Sequence, residues 1–176
     1  PKLLDKVVRL VKSKELIDTI GLTQHITTPY LPEDYKKDLG HYIVDRVVHV
    51  EASWHHQKGK GVVEETAFIE SLPFQQHDLK LGALVATADP RDSNFKKILK
   101  MHKQASPYFR GIRKMASFHE DKGIYAWADE PHLYRNKKFL KGFELLAQYD
   151  LSFDAWTYST QLSDVIALAK QFPETS

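Results

Sequence analysis

Apolar positions along the chain fall into short runs, and the runs alternate in kind. YIVDRVVHVEA (42–52) is rich in β-branched residues and predicts a strand. VVEETAFIESL (62–72) places its apolar residues at helical spacing. LKLGALVATAD (79–89) predicts a second strand, closed by Asp89-Pro90. DSNFKKILKMHKQA (92–105) predicts a helix, with Asp92 or Ser93 placed to cap its free amides. YFRGIRKMA (108–116) is a third strand, followed by the long loop SFHEDKGIYAWADEPHLYRN. KKFLKGFELLAQYD (137–150) is a helix, LSFDAWTYS (151–159) a fourth strand and QLSDVIALAKQF (161–172) its helix. At the start, PKLLDKVVRLVKSKEL reads as an amphipathic helix, with Leu3, Leu4, Val7, Val8 and Val11 on one side. The expected organisation is one domain over 1–176: an N-terminal helix and lead-in segment (1–40), then four βα units (41–176).

Repeated strand–helix units favour a parallel α/β sheet, because a parallel return needs a long crossover. The second strand is apolar on both faces from Leu81 to Ala88, as a sheet covered on both sides requires. In such folds ligands sit at the carboxyl ends of the strands. The first strand ends in Glu51, then Trp54, His55 and His56; the second ends in Asp89; the third carries Arg113 and Lys114; the fourth carries Asp154, Trp156 and Tyr158. All four bring polar or aromatic groups to one end of the sheet.

Composition narrows the classes. A formal charge of +2 spread over 176 residues points to neither nucleic acid nor a membrane surface as partner. The absence of cysteine excludes disulfides, thiolate metal sites and a cysteine nucleophile, and fits a reducing cytoplasm. No apolar run approaches the roughly 20 residues of a membrane span. Charges break every apolar run of the first segment, so it is no signal peptide. The chain opens on proline without an initiator methionine, which points to a start inside a longer protein. There is no G-x-G-x-x-G, Walker pattern, H-E-x-x-H or G-x-S-x-G.

Each candidate has a structural alternative. Glu51 is either a metal ligand or base at a strand end or an ordinary exposed glutamate. His49 reads as a buried, hydrogen-bonded histidine. His55 and His56 are neighbours whose side chains diverge in extended chain, so they make a poor chelator. His119 and His132 lie in the long loop, which is of a length kept for lids or binding. Arg113 carries a planar fork suited to a carboxylate, or pairs structurally with Asp89 or Asp154. Arg110 and Lys114 lie opposite Arg113 and suit packing and solubility. Asp89 caps a turn before Pro90. Trp54, Trp127 and Trp156 stack on a substrate ring or fill the core.

VDRVVHVEA, LGALVATADP, FRGIR and LSFDAWTYSTQL followed by ALAKQFPET resemble, in order and spacing, the amidohydrolase-related metal-dependent hydrolases, the branch with sugar lactonases and pyrone-dicarboxylate lactonase. The resemblance covers roughly 40–175. It implies a parallel (β/α) barrel, lactone or cyclic-ester hydrolysis by a metal-activated water, and one divalent metal, zinc by preference. It makes Glu51 a metal-holding or water-positioning catalytic group, Arg113 the anchor of a substrate's anionic end, and Asp154 an inward catalytic residue. Trp54, His55, Trp156 and His119 become substrate-binding positions. Departures accompany it. The family's His-x-His is missing, His25 stands without a paired ligand, and a full barrel takes about 250 residues. The expectation is therefore an incomplete barrel of about four βα units whose metal and activity belong to a complete enzyme. Its open edges would favour a homo-oligomer, association with the missing part, or the N-terminal helix folding over an edge. The alternatives are a catalytically dead fragment serving as a binding or assembly module and a small flavodoxin-like protein.

Overall fold

Four strands pair side by side in chain order, β1-β2-β3-β4, all parallel. The computed structural model describes residues 2–21, 23 and 27–176; His25 lies outside them. The elements are α1 (Lys2–Val11), α2 (Lys14–Ile20), α3 (Pro32–Leu39), β1 (Val47–Val50), α4 (Val63–Ser71), β2 (Leu81–Thr87), α5 (Phe95–Ala105), β3 (Phe109–Met115), α6 (Lys137–Gln148), β4 (Ser152–Trp156) and α7 (Leu162–Gln171).

Sequential order with right-handed crossovers puts the connecting helices on one face. There α4 packs on α5 and α5 on α6. Leu84, Ala86 and Ile112 join Ile98 and Leu99 of α5 and Phe139, Phe143 and Leu146 of α6 in one buried cluster. Phe153 of β4 meets Phe139 and Phe143 edge to face. Burying each such side chain contributes about 1.5–3 kcal/mol, and this cluster holds the sheet to its helices. The opposite face carries Val50 beside Val85, then Thr87, Arg113 and Asp154 in one lateral row, then Met115 beside Trp156. It stays partly open, with Val48 57% and Trp156 41% exposed.

The expected barrel is corrected. β1 and β4 do not pair, so the sheet is an open, curled layer with two edges. Closure requires the first and last strands to meet at a fixed stagger, and small closed barrels need about eight strands to do so. The leading helix is corrected too. It breaks at Ser13, whose hydroxyl accepts from Leu16 N–H and starts α2. Among its described side chains, Val7, Leu10 and Val11 remain exposed. Residues 29–32 and Tyr35 instead line an apolar cleft of about 760 Å³ beside β1. Among the described residues, no helix is long and apolar enough to cross a membrane.

Candidate functional site

The site grows from the end of β1. Glu51 N–H still donates to Val85 carbonyl, which extends the ladder by one residue. Ser53 then takes φ +58° and turns the chain, and its N–H donates back to Glu51 Oε2 at 3.1 Å. The carboxylate is thereby held inward and is only 5% exposed. Among the described residues its Oε1 has no hydrogen-bond partner, and it stands 3.9 Å from a terminal nitrogen of Arg113. Burial pushes the Glu51 carboxyl above its ordinary value; the Ser53 bond and the Arg113 charge oppose this, and nearby Glu65 adds to it.

Arg113 comes from the next strand but one. Its Nε donates to Asp154 Oδ1 at 2.8 Å and a terminal nitrogen to Oδ2 at 3.2 Å, a bidentate pair between adjacent strands. The register Arg113↔Asp154 makes this pairing direct. The Trp156 ring lies 4.9 Å from the guanidinium carbon, within cation–π range. Glu51, Arg113, Asp154 and Trp156 therefore meet at the carboxyl end of the sheet. Of the two alternatives for Arg113, an ion pair with Asp154 is present, and one terminal nitrogen is left facing Glu51.

The exit of β1 is braced from the helix face. Glu65 of α4 is buried and accepts from Ala52 N–H at 2.7 Å, while the same oxygen lies 3.1 Å from His49 Nε2. His49 is thus a hydrogen-bonded structural histidine. It faces α4, whereas Glu51 turns toward Arg113, so the two do not share a partner. Behind them His102 Nδ1 meets Thr66 Oγ1 at 2.7 Å, and burial lowers this imidazole to about 4.

A second polar group was not anticipated. A cavity of about 510 Å³ is lined by Gln57, Asp89, Arg91, Lys114, Trp127 and Asp129, among others. Arg91 bonds Asp89, Asp129 and Glu130, and Lys114 Nζ stands 3.6 Å from Asp89. Burial works against ionising Asp89, but the bonds from Arg91 outweigh it and hold the carboxyl below its ordinary value. Lys114 is therefore an internal partner of Asp89, which corrects its assignment to packing and solubility. Asp89 does cap its turn, accepting from Arg91 N–H at 2.9 Å. The signal was the alternation at Arg113-Lys114, which sends the two cations to opposite faces. The capping of α5 also differs: Asn94 stands at the cap, and Asp92 accepts from Asn94 N–H.

Three expected substrate-binding residues lie apart from this group. Trp54 packs on Phe68 and donates to Glu64. His55 and His56 both turn to Glu64. His119 accepts from Asp121 N–H and lies edge-on to Tyr158, in a small cleft with Phe118 and Tyr125. His132 pairs with Asp164.

The metal implied at Glu51 does not fit the residues around it. A guanidinium cation stands 3.9 Å from its free oxygen, and among the described residues Glu51 belongs to no group of three convergent imidazole or carboxylate ligands.

No protein family's profile matches the chain, and no solved structure matches it. The chain is similar to an uncharacterized protein, y4mH, of Sinorhizobium fredii, with 30% identity over 149 residues. That alignment covers 85% of this chain and 48% of the relative, so the chain spans about half the length of the relative it matches.

Proposed function

We propose that the carboxyl end of the sheet binds a small anionic molecule and that the whole protein hydrolyses a lactone or similar cyclic ester there, in keeping with the resemblance to the amidohydrolase-related hydrolases. The observation that carries this reading is the buried carboxylate of Glu51, with one unpaired oxygen facing Arg113. An unpaired buried carboxylate costs folding free energy, and such groups are kept where they move protons. Glu51 takes a proton from water as the water oxygen adds to the lactone carbonyl. The ring C–O bond breaks, and the same proton passes to the departing ring oxygen, giving a hydroxy acid. Arg113 sets its free terminal nitrogen toward the substrate's anionic end or the developing oxyanion. Asp154 fixes the fork, and Trp156 walls the site. No step is routed through a metal at Glu51. The cytoplasm is the compartment we infer, from a chain without cysteine.

A second reading, a binding or assembly module, is favoured by the open edges. Phe153 N–H of β4 donates to Ser176 at 2.7 Å, consistent with an edge that keeps free donors for a partner. One experiment separates the two. The whole gene product and its Glu51→Gln variant are assayed against a panel of lactones, with mass by light scattering. The hydrolase reading expects ring opening that falls at least about 100-fold in Glu51→Gln. It also expects that variant to melt no lower at neutral pH: a carboxyl raised by burial contributes stability in acid that is lost as pH rises. Inactivity on every lactone, or full activity in Glu51→Gln, would overturn it. Inactivity together with a stable oligomer would favour the module.

A further inference from the structure

We propose that His55, His56 and Glu64 form a binding site for one zinc-class divalent ion. The site is distinct from the Glu51 group and does not depend on the hydrolase reading.

Adjacent histidines diverge in extended chain, but this segment is not extended. Ser53 takes φ +58° and the chain bends at His55. The two rings end on the same side, with centroids 4.2 Å apart. His56 Nδ1 lies 2.7 Å and His55 Nε2 3.6 Å from the same oxygen, Glu64 Oε2. One ligand atom from each residue falls within 4.8 Å of the others. A tetrahedral zinc with bonds of about 2.0–2.2 Å holds its ligands about 3.3 Å apart. These atoms are thus within a small side-chain adjustment of a coordination shell, and the side chains are 64%, 54% and 49% exposed, free to make it.

Neighbouring residues prepare the arrangement. Gly61 leaves room for His56: a Cβ there would sit 2.8 Å from His56 Cβ. Trp54 Nε1 donates to Glu64 Oε2 at 3.3 Å, the kind of outer contact that orients a ligating carboxylate. Two imidazoles and one carboxylate suit zinc, cobalt or nickel over calcium or magnesium, and three protein ligands leave a position for water.

The test is calorimetric titration of zinc chloride into the metal-stripped chain, with Trp54 fluorescence as local reporter. The expected result is one ion per chain, although the chain has nine histidines. Binding should weaken at least about tenfold in His55→Ala, His56→Ala and Glu64→Gln, and by a similar factor in Gly61→Ala, which removes no ligand. His77→Ala should bind as the parent does. Circular dichroism confirms that each variant is folded. No binding, or binding undiminished in His56→Ala and Glu64→Gln, would overturn the proposal.

Discussion

At the scale of single residues, burial decides the chemistry. Glu51 and His102 are both taken out of water, and burial acts on them in opposite directions, raising the acid and lowering the base. His102 is held neutral beside Thr66, between α4 and α5. Its folded value of about 4 lies below the ordinary 6.5. The unfolded chain therefore takes the proton first on acidification. Stability present above pH 6.5 drains away as pH falls toward 4, by on the order of 3 kcal/mol. Urea unfolding near neutral pH and near the lower value should show this loss in the parent and much less of it in His102→Gln. Equal losses in the two would remove His102 from the account. Single residues also mark a limit of sequence reading. Arg113 and Asp154 could be found from their place at strand ends, because alternation and register put them on one face; alternation gives Glu51 the face of His49, and it reaches Arg113 only from beyond the end of β1. The convergence of His55 and His56 could not be found, because it depends on a bend at His55 that no turn-forming residue there announces.

At the scale of elements, β-branched content and bounding turns gave the four strands and the helix after each in the right order, whereas α3 lay unassigned in the lead-in segment and most other errors lie at the ends. The first strand was expected over 42–52, yet only Val47–Val50 form it. Tyr42 and Ile43 are exposed ahead of it, since an edge strand is only as long as its single neighbour supports. The break at Ser13 was missed because a capping serine is legible only once a helix is known to start there. Close approach between elements was equally hidden. Gly142 lies within α6, and a Cβ on it would stand 2.0 Å from Pro90 carbonyl oxygen in the turn after β2. Backbone cannot yield as a side chain can. Gly142→Ala therefore gains about 1 kcal/mol of helix propensity and loses more to the clash. A net cost of about 2 kcal/mol should lower Tm by roughly 4–8 °C in a thermal melt. An unchanged or higher Tm would show that α6 does not approach this turn so closely.

At the scale of the whole molecule, strand–helix alternation predicted parallel order, and the sheet has it. The chain's length, short of the roughly 250 residues of a full barrel, pointed to open edges; that the sheet is an open curled layer and not a piece of barrel was not legible, because no local pattern encodes which distant strands pair. The consequence is a layer with helices on one face and an open face that carries the Arg113–Asp154 pair and Trp156. This arrangement draws one site from three strands: Glu51 from the end of β1, Arg113 from β3 and Asp154 from β4. The most direct test of that convergence is the titration of the Glu51 carboxyl carbon by NMR in the parent, in Arg113→Met and in Asp154→Asn. The account predicts a midpoint above the ordinary 4.5 in the parent, a higher one without Arg113, and a lower one without Asp154, which frees the guanidinium to turn toward Glu51. A midpoint at or below the ordinary value, unmoved by either substitution, would contradict it.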